Sequence, residues 1–228
     1  MVRSGVVLAL DAAASFGTIA VLVDSVVRVE RTVAMRSAGE ELFFPQVLDV
    51  LREAGAAPRD LAGVVCGAGP GSFTALRVVG ALAKGLCEGT RRPLHSVPSL
   101  ALIVAGHEGT RDGGRWLATL DAMRGDRYLA LVTVAPGGEV TGVESLGLAP
   151  VAALLERATS LGATLIGPDE ALTAPPHARG VARCLGLVEA AGPVDLASWE
   201  PVYGRLAEAQ VKWEATHGRR LSADHLAP

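Results

Sequence analysis

The sequence is short of several residues that whole classes of protein depend on. It has three cysteines, Cys66, Cys87 and Cys184, an odd and low number whose spacing fits neither a zinc motif nor a disulfide scaffold. A reducing cytoplasm is the expected compartment. Lysine occurs twice against 19 arginines, and 21 basic residues face 24 acidic ones. A net charge of −3 excludes a protein that grips nucleic acid by bulk charge alone. The five histidines are scattered, and no two sit at helical spacing, so HxxxH and HExxH metal pairs are absent. There is no Gly-x-Ser-x-Gly elbow and no evident nucleophile–base pair, which excludes the common hydrolase signatures. No apolar run approaches the roughly 20 residues of a membrane span. Near the N-terminus, Asp11 interrupts the run Gly5 to Leu10 before it reaches the length of an export signal.

What the chain does have is apolar mass. Half of its 228 residues are hydrophobic although aromatics are only 4%, enough for a packed core in one or two domains. Alanine takes 38 positions, and this Ala/Arg bias reads as compositional drift.

Val6–Leu10, Thr18–Val23 and Val26–Val33 are rich in β-branched residues and read as an antiparallel meander, with Asp24-Ser25 as a tight turn. Glu40–Ala54 reads as a helix with Pro45 in its first turns and Gly55 past its end. Gly63–Ala68 is a buried strand, Ser72–Cys87 a second helix, Leu94–Val97 a strand, and Ser99 caps a third helix to about Gly106. A polar, Gly-rich stretch from Gly106 to Gly114 marks a subdomain boundary, giving residues 1–106 in the order βββαβαβα and a smaller unit over 107–228. Trp116–Asp121, Tyr128–Val134 and Val140–Leu146 read as strands, Pro150 as the first turn of a helix, and Thr164–Gly167 as a short strand. Leu172–Pro193 has no clear pattern, Arg205–Thr216 reads as a closing helix, and no internal repeat is visible.

Two places could carry function. The loop Gly67-Ala-Gly-Pro-Gly-Ser-Phe-Thr74 joins a buried strand to a helix. Its glycines allow close approach, Ser72 and Thr74 are placed to cap the helix, and bare N–H groups there suit an anion. A tight turn without ligand is the competing reading. The loop is not a Walker A motif, and Pro70 with the opening meander argues against a dinucleotide fingerprint. Asp11, ending the first strand, suits Mg²⁺ through water, or a turn in which it accepts nearby backbone N–H groups. Asp11, Gly69, Gly71, Ser72 and Thr74 are therefore the candidate nucleotide-binding residues.

The second place is the helix pair. Phe43, Val47, Val50 and Ala54 form one stripe, with Phe44, Leu48 and Leu51 beside it, together wider than one core face requires. The helix from Ser72 is apolar nearly all round, broken by Arg77 and Lys84, and Gly80, Ala81 and Gly85 would admit a close neighbour. Either its own subdomain covers it, or one face meets a partner. On the second alternative the interface residues are Phe43, Phe44, Val47, Leu48, Leu51, Leu76, Val79, Gly80, Ala83 and Leu86.

Four stretches, in order, give the chain a family resemblance: Leu8-Ala-Leu-Asp11, Gly67 to Leu86, Leu120-Asp-Ala-Met-Arg-Gly-Asp-Arg-Tyr128, and Glu200-Pro-Val-Tyr-Gly-Arg205. Together they resemble the TsaB family of bacterial tRNA threonylcarbamoyladenosine (t6A) biosynthesis, in the actin/sugar-kinase/Hsp70-like superfamily. The resemblance implies an α/β, actin-like (ribonuclease H-like) fold of two subdomains, each a mixed sheet flanked by helices, with the last helix packing back on the first. It implies a cytoplasmic, non-catalytic scaffold without a tightly bound cofactor. Such a scaffold acts with the transferase TsaD and the ATPase TsaE, which use ATP and Mg²⁺, and pairs with itself through the same helices when alone. tRNA would be reached only through the complex. The alternative is an active ATP-dependent phosphotransferase of the same superfamily using Asp11 and the Gly69–Thr74 loop. Departures are Ala12-Ala13 in place of Thr-Ser, the replacement near Gly39 of a histidine common before the first helix, and Ala75 in place of a glycine, which implies an ordinary helical angle there.

Overall fold

The computed structural model describes residues 2–35, 39–204 and 216. Three antiparallel strands open it, β1 (Val6–Asp11), β2 (Phe16–Val23) and β3 (Val26–Ala34). Asp24 and Ser25 both adopt positive φ in the turn between β2 and β3. Helix α1 (Gly39–Glu53), strand β4 (Leu61–Gly67), helix α2 (Phe73–Thr90), strand β5 (Leu94–Val97) and helix α3 (Ser99–Ala105) follow. The five strands form one sheet in the order β3-β2-β1-β4-β5, with β4 and β5 parallel to β1.

The second sheet has the order β8-β7-β6-β9, built from β6 (Gly114–Asp121), β7 (Asp126–Val134), β8 (Val140–Pro150) and β9 (Thr164–Ile166). Helix α4 (Leu154–Ser160) precedes β9. Pro150 is thus the last residue of β8, and a 3-10 turn, Val151–Ala153, separates it from α4. The expected first-turn proline gives way because the strand's pairing runs on to Asp126–Pro150. The open stretch 172–193 contains a 3-10 helix, Ala178–Arg183, and α5 (Leu185–Ala191). The closing helix expected over 205–216 lies outside the described residues apart from Thr216.

The two halves repeat one plan. A three-strand meander, a helix and a strand parallel to the first give the order 3-2-1-4 in each, β3-β2-β1-β4 and β8-β7-β6-β9. The sequence keeps only a trace of this. β1 runs into Leu10-Asp11-Ala12 and β6 into Leu120-Asp121-Ala122, while β4 ends on Gly67 and β9 is followed by Gly167.

Alternation along the strands sets the layers. Leu8 and Leu10 face α1 and α2 in one core cluster; Val7 and Ala9 face the opposite side. There α3 and residues 178–188 share a core with Ala118, Leu120, Tyr128 and Ala130 of the second sheet. α4 covers that sheet's far face through Leu117, Leu129 and Leu154. Helices and sheets therefore alternate through the molecule, with α3 between the sheets. Buried Arg183 pins this middle layer by donating to the carbonyls of Gly138, Ala105, His107 and Thr110.

Candidate functional site

The C-terminal ends of β1 and β4 and the start of α3 converge on Asp11. Its side chain is fully buried. Oδ1 accepts the Ala13 N–H at 3.0 Å, and Oδ2 accepts the Ser99 hydroxyl at 2.5 Å. Ser99 Oγ in turn accepts the Gly69 N–H at 2.9 Å, while the Ser99 N–H donates to the Gly69 carbonyl at 2.9 Å. Gly67 is glycine because a Cβ there would overlap Asp11 Oδ2. Burial pushes the Asp11 carboxyl up to about 6, and the hydrogen bonds from Ser99 and Ala13 oppose that shift. The neighbouring Cys66 thiol is pushed upward mainly by burial, as befits an inert core cysteine.

Of the candidate nucleotide residues, Asp11, Gly69 and Gly71 are brought together, but around protein atoms. Gly71 lies against the Ala13 backbone, and the Ser72 N–H donates to the Ala13 carbonyl at 2.8 Å. Gly69 sits at φ +81 with the Val202 carbonyl over it. Ser72 and Thr74 are exposed, and Ser72, at the N-cap of α2, makes no side-chain capping bond. Their expected capping role is thus not realised for Ser72. Ala75 is an ordinary buried helical residue, as its replacement of glycine implies. The equivalent carboxylate in the second half, Asp121, accepts the Met123 N–H at 3.2 Å just as Asp11 accepts Ala13, but stays exposed and pairs with Arg127 at 2.6 Å. Among the described residues no group of three or more His, Cys, Asp or Glu side chains could hold a metal ion.

The helix pair is more covered than its wheel suggests. Phe43, Val47 and Leu51 of α1 and Val79 and Ala83 of α2 are buried against β1, β2 and β4, and Leu76 of α2 is buried in the other core, with α3. A docking partner cannot reach them without opening that core. What remains uncovered is Phe44, with 46% of its surface exposed, the exposed Leu42 two residues before it, and the half-buried Leu48, Val78, Leu82 and Leu86.

Gly80 is buried for a different reason. Trp199 and Pro201 pack over it, so that a Cβ would press on the proline ring. They belong to a strap, residues 194–204, that the sequence quotes as a Pro-Val-Tyr signature without indicating its task. The strap is bonded at Val194 N–H to Leu94 O (2.8 Å) and at Val202 N–H to Ala68 O (2.7 Å). Lys84 Nζ donates to the Trp199 carbonyl at 3.1 Å. The Tyr203 ring stacks on Phe73 with centroids 4.6 Å apart, and Tyr128 of β7 donates to the Tyr203 carbonyl at 3.4 Å. Ser99, expected as the cap of α3, is instead its first residue after Pro98, and its hydroxyl makes no cap but reaches Asp11 across 88 residues of sequence.

Comparison with known proteins gives this arrangement a lineage. Residues 35–140 match the family model described as TsaD, tRNA N6-adenosine threonylcarbamoyltransferase. The chain is 27% identical over 225 residues to the tRNA threonylcarbamoyladenosine biosynthesis protein TsaB of Bacillus subtilis, covering 91% of this chain and 97% of that one. It is 31% identical over 124 residues to TsaB of Escherichia coli, a match spanning 54% of this chain and only 53% of that protein. A Pseudomonas aeruginosa structure described as similar to peptidase YeaZ superposes with a TM-score of 0.73 at 23% identity, over 88% of this chain and 99% of the other. A second, YeaZ from the same organism, gives 0.68 at 24%, over 87% and 99%. These two establish the shared α/β fold of two mixed sheets. By sequence the chain is similar to TsaB proteins, along nearly its whole length in the Bacillus subtilis case, and by architecture it shares the YeaZ fold.

Proposed function

We propose that this protein is a non-catalytic subunit in t6A formation on tRNA, docking through α1 and α2 onto the transferase TsaD and acting with the ATPase TsaE. The observation that carries the reading is the state of Asp11. The one carboxylate at the strand end where a nucleotide metal would be held has both oxygens engaged inside the protein and no surface. A chain built this way contributes shape rather than chemistry. The uncovered apolar side chains on the helix pair supply a surface suited to a protein partner. The same face would pair two copies when the partner is absent, nucleotide and Mg²⁺ would belong to the partner proteins, and tRNA would be reached through the complex.

The test mixes the purified chain with the TsaD relative from the same organism and follows size exclusion with light scattering. A mixed complex is expected, lost in Phe44→Glu and Leu82→Glu variants whose thermal unfolding is unchanged. Failure of the wild-type chain to form any complex, with or without TsaE and nucleotide, overturns the assignment. Titration of the isolated chain with ATP·Mg²⁺ tests the phosphotransferase alternative. Millimolar or tighter binding that Asp11→Asn abolishes, together with turnover of ATP, would establish that activity instead.

A further inference from the structure

Arg77 on α2 is held in an unusual way for an exposed side chain. Its Cζ lies 4.4 Å from the Phe73 ring centroid and 5.5 Å from that of Tyr203, and its Nε donates to Tyr203 Oη at 3.4 Å. Two aromatic rings thus restrain the guanidinium, and its two terminal NH₂ groups make no hydrogen bond among the described residues. Among the described residues Arg77 forms no ion pair; its contacts are with the two rings and the Tyr203 hydroxyl. Lys84, the next cation along the helix, is committed to the Trp199 carbonyl.

We infer that Arg77 is the charged anchor of the partner face, taking a carboxylate from the protein that docks on α1 and α2, and that the 194–204 strap forms part of that interface. This rests on the docking reading above. A cation without an ion pair, with Val78 half-buried beside it in the helix and Val202 of the strap 59% exposed, fits one acidic side chain of a protein surface. A phosphate backbone is gripped by several cations together, and of the two cations on α2 only Arg77 is uncommitted, Lys84 being bonded to the Trp199 carbonyl. Stacked arginine with tyrosine is also the composition in which interface energy concentrates. Because the stack has already ordered the fork, little side-chain freedom remains to be lost on binding.

The experiment measures affinity for the TsaD relative, at low and high salt, for the wild-type chain and for Arg77→Glu, Arg77→Gln, Arg77→Lys and Tyr203→Leu. Arg77→Glu should weaken the complex about thirty-fold or more while thermal unfolding is unchanged. Arg77→Lys should recover only part of that, lacking the two-pronged geometry. The difference between Arg77→Gln and wild type should shrink as salt rises. Tyr203→Leu, which frees the guanidinium, should weaken binding less than Arg77→Glu. A wild-type affinity in Arg77→Glu, or losses in Arg77→Gln that ignore salt, overturns the inference and leaves the docking reading intact. No wild-type complex overturns both. If Arg77→Glu instead removes binding of tRNA to the isolated chain and spares the protein complex, the ligand is phosphate and the carboxylate assignment falls.

Discussion

Asp11 is an acid kept from water, and that has a thermodynamic sign. Burial raises its folded-state value to about 6, above the ordinary aspartate range. Between roughly pH 4 and 6 the folded chain therefore holds a proton that the unfolded chain has released. Stability contributed below pH 4 is lost as pH rises through 6, by about 3 kcal/mol for this group. Denaturant titrations across that window should show the decline in the wild type and a flatter profile in Asp11→Asn. The neighbouring glycine gives a second check. Gly67→Ala places a methyl group on Asp11 Oδ2 and should lower stability by about 1–3 kcal/mol, measured by the unfolding midpoint. Combining it with Asp11→Ala should restore part of the loss, since the clash goes with the carboxylate.

At the level of single elements, α2 carries an unexplained expense. A Cβ at Gly85 would meet nothing within 4 Å, so neither packing nor a special backbone angle requires glycine there. Gly85→Ala should stabilise the isolated chain by up to about 1 kcal/mol in thermal unfolding. α1 makes the opposite point. Phe43 is fully buried against Gly17 and Met35, and Phe43→Ala should cost about 3–5 kcal/mol in denaturant unfolding. The meander, both long helices and the second sheet's strands were legible because period-2 and period-3.6 patterns are local. The division of α1 and α2 into covered and uncovered sides was not. An apolar wheel reports that a side chain avoids water, and it is silent on whether Trp199 and Pro201, more than a hundred residues on, provide the cover. Residues 172–193 stayed unread for a related reason: a 3-10 turn and a seven-residue helix, held by contacts to α3 and β2, have too few residues for a period to emerge. Asp11 was legible as a strand-end carboxylate with its Ala13 partner in view, whereas Ser99 arrives from another element altogether.

Over the whole molecule, the repeat of β1–β4 in β6–β9 escaped the sequence because a shared plan needs only shared alternation, and Leu-Asp-Ala is nearly all that both halves keep. Arg183 binds the layers that the repeat leaves facing each other. Arg183→Ala would leave the carbonyls of Gly138 and Ala105 without this donor and take one of several from His107 and Thr110, at a largely buried site, and should cost about 3 kcal/mol or more. Because that middle layer is common to both sheets, unfolding should remain a single transition in the variant, seen alike by near- and far-ultraviolet dichroism. The position of α3 has a mechanical consequence too. Two-lobed proteins that grip a small ligand do so by swinging about a hinge, and a hinge needs a seam. Here the seam is filled by a helix buried along its whole length, and the strap ties the ends of β4 and β5 to β7. A load on α1 and α2 should therefore tilt the body as one piece, as a lever arm does, where a jaw would close.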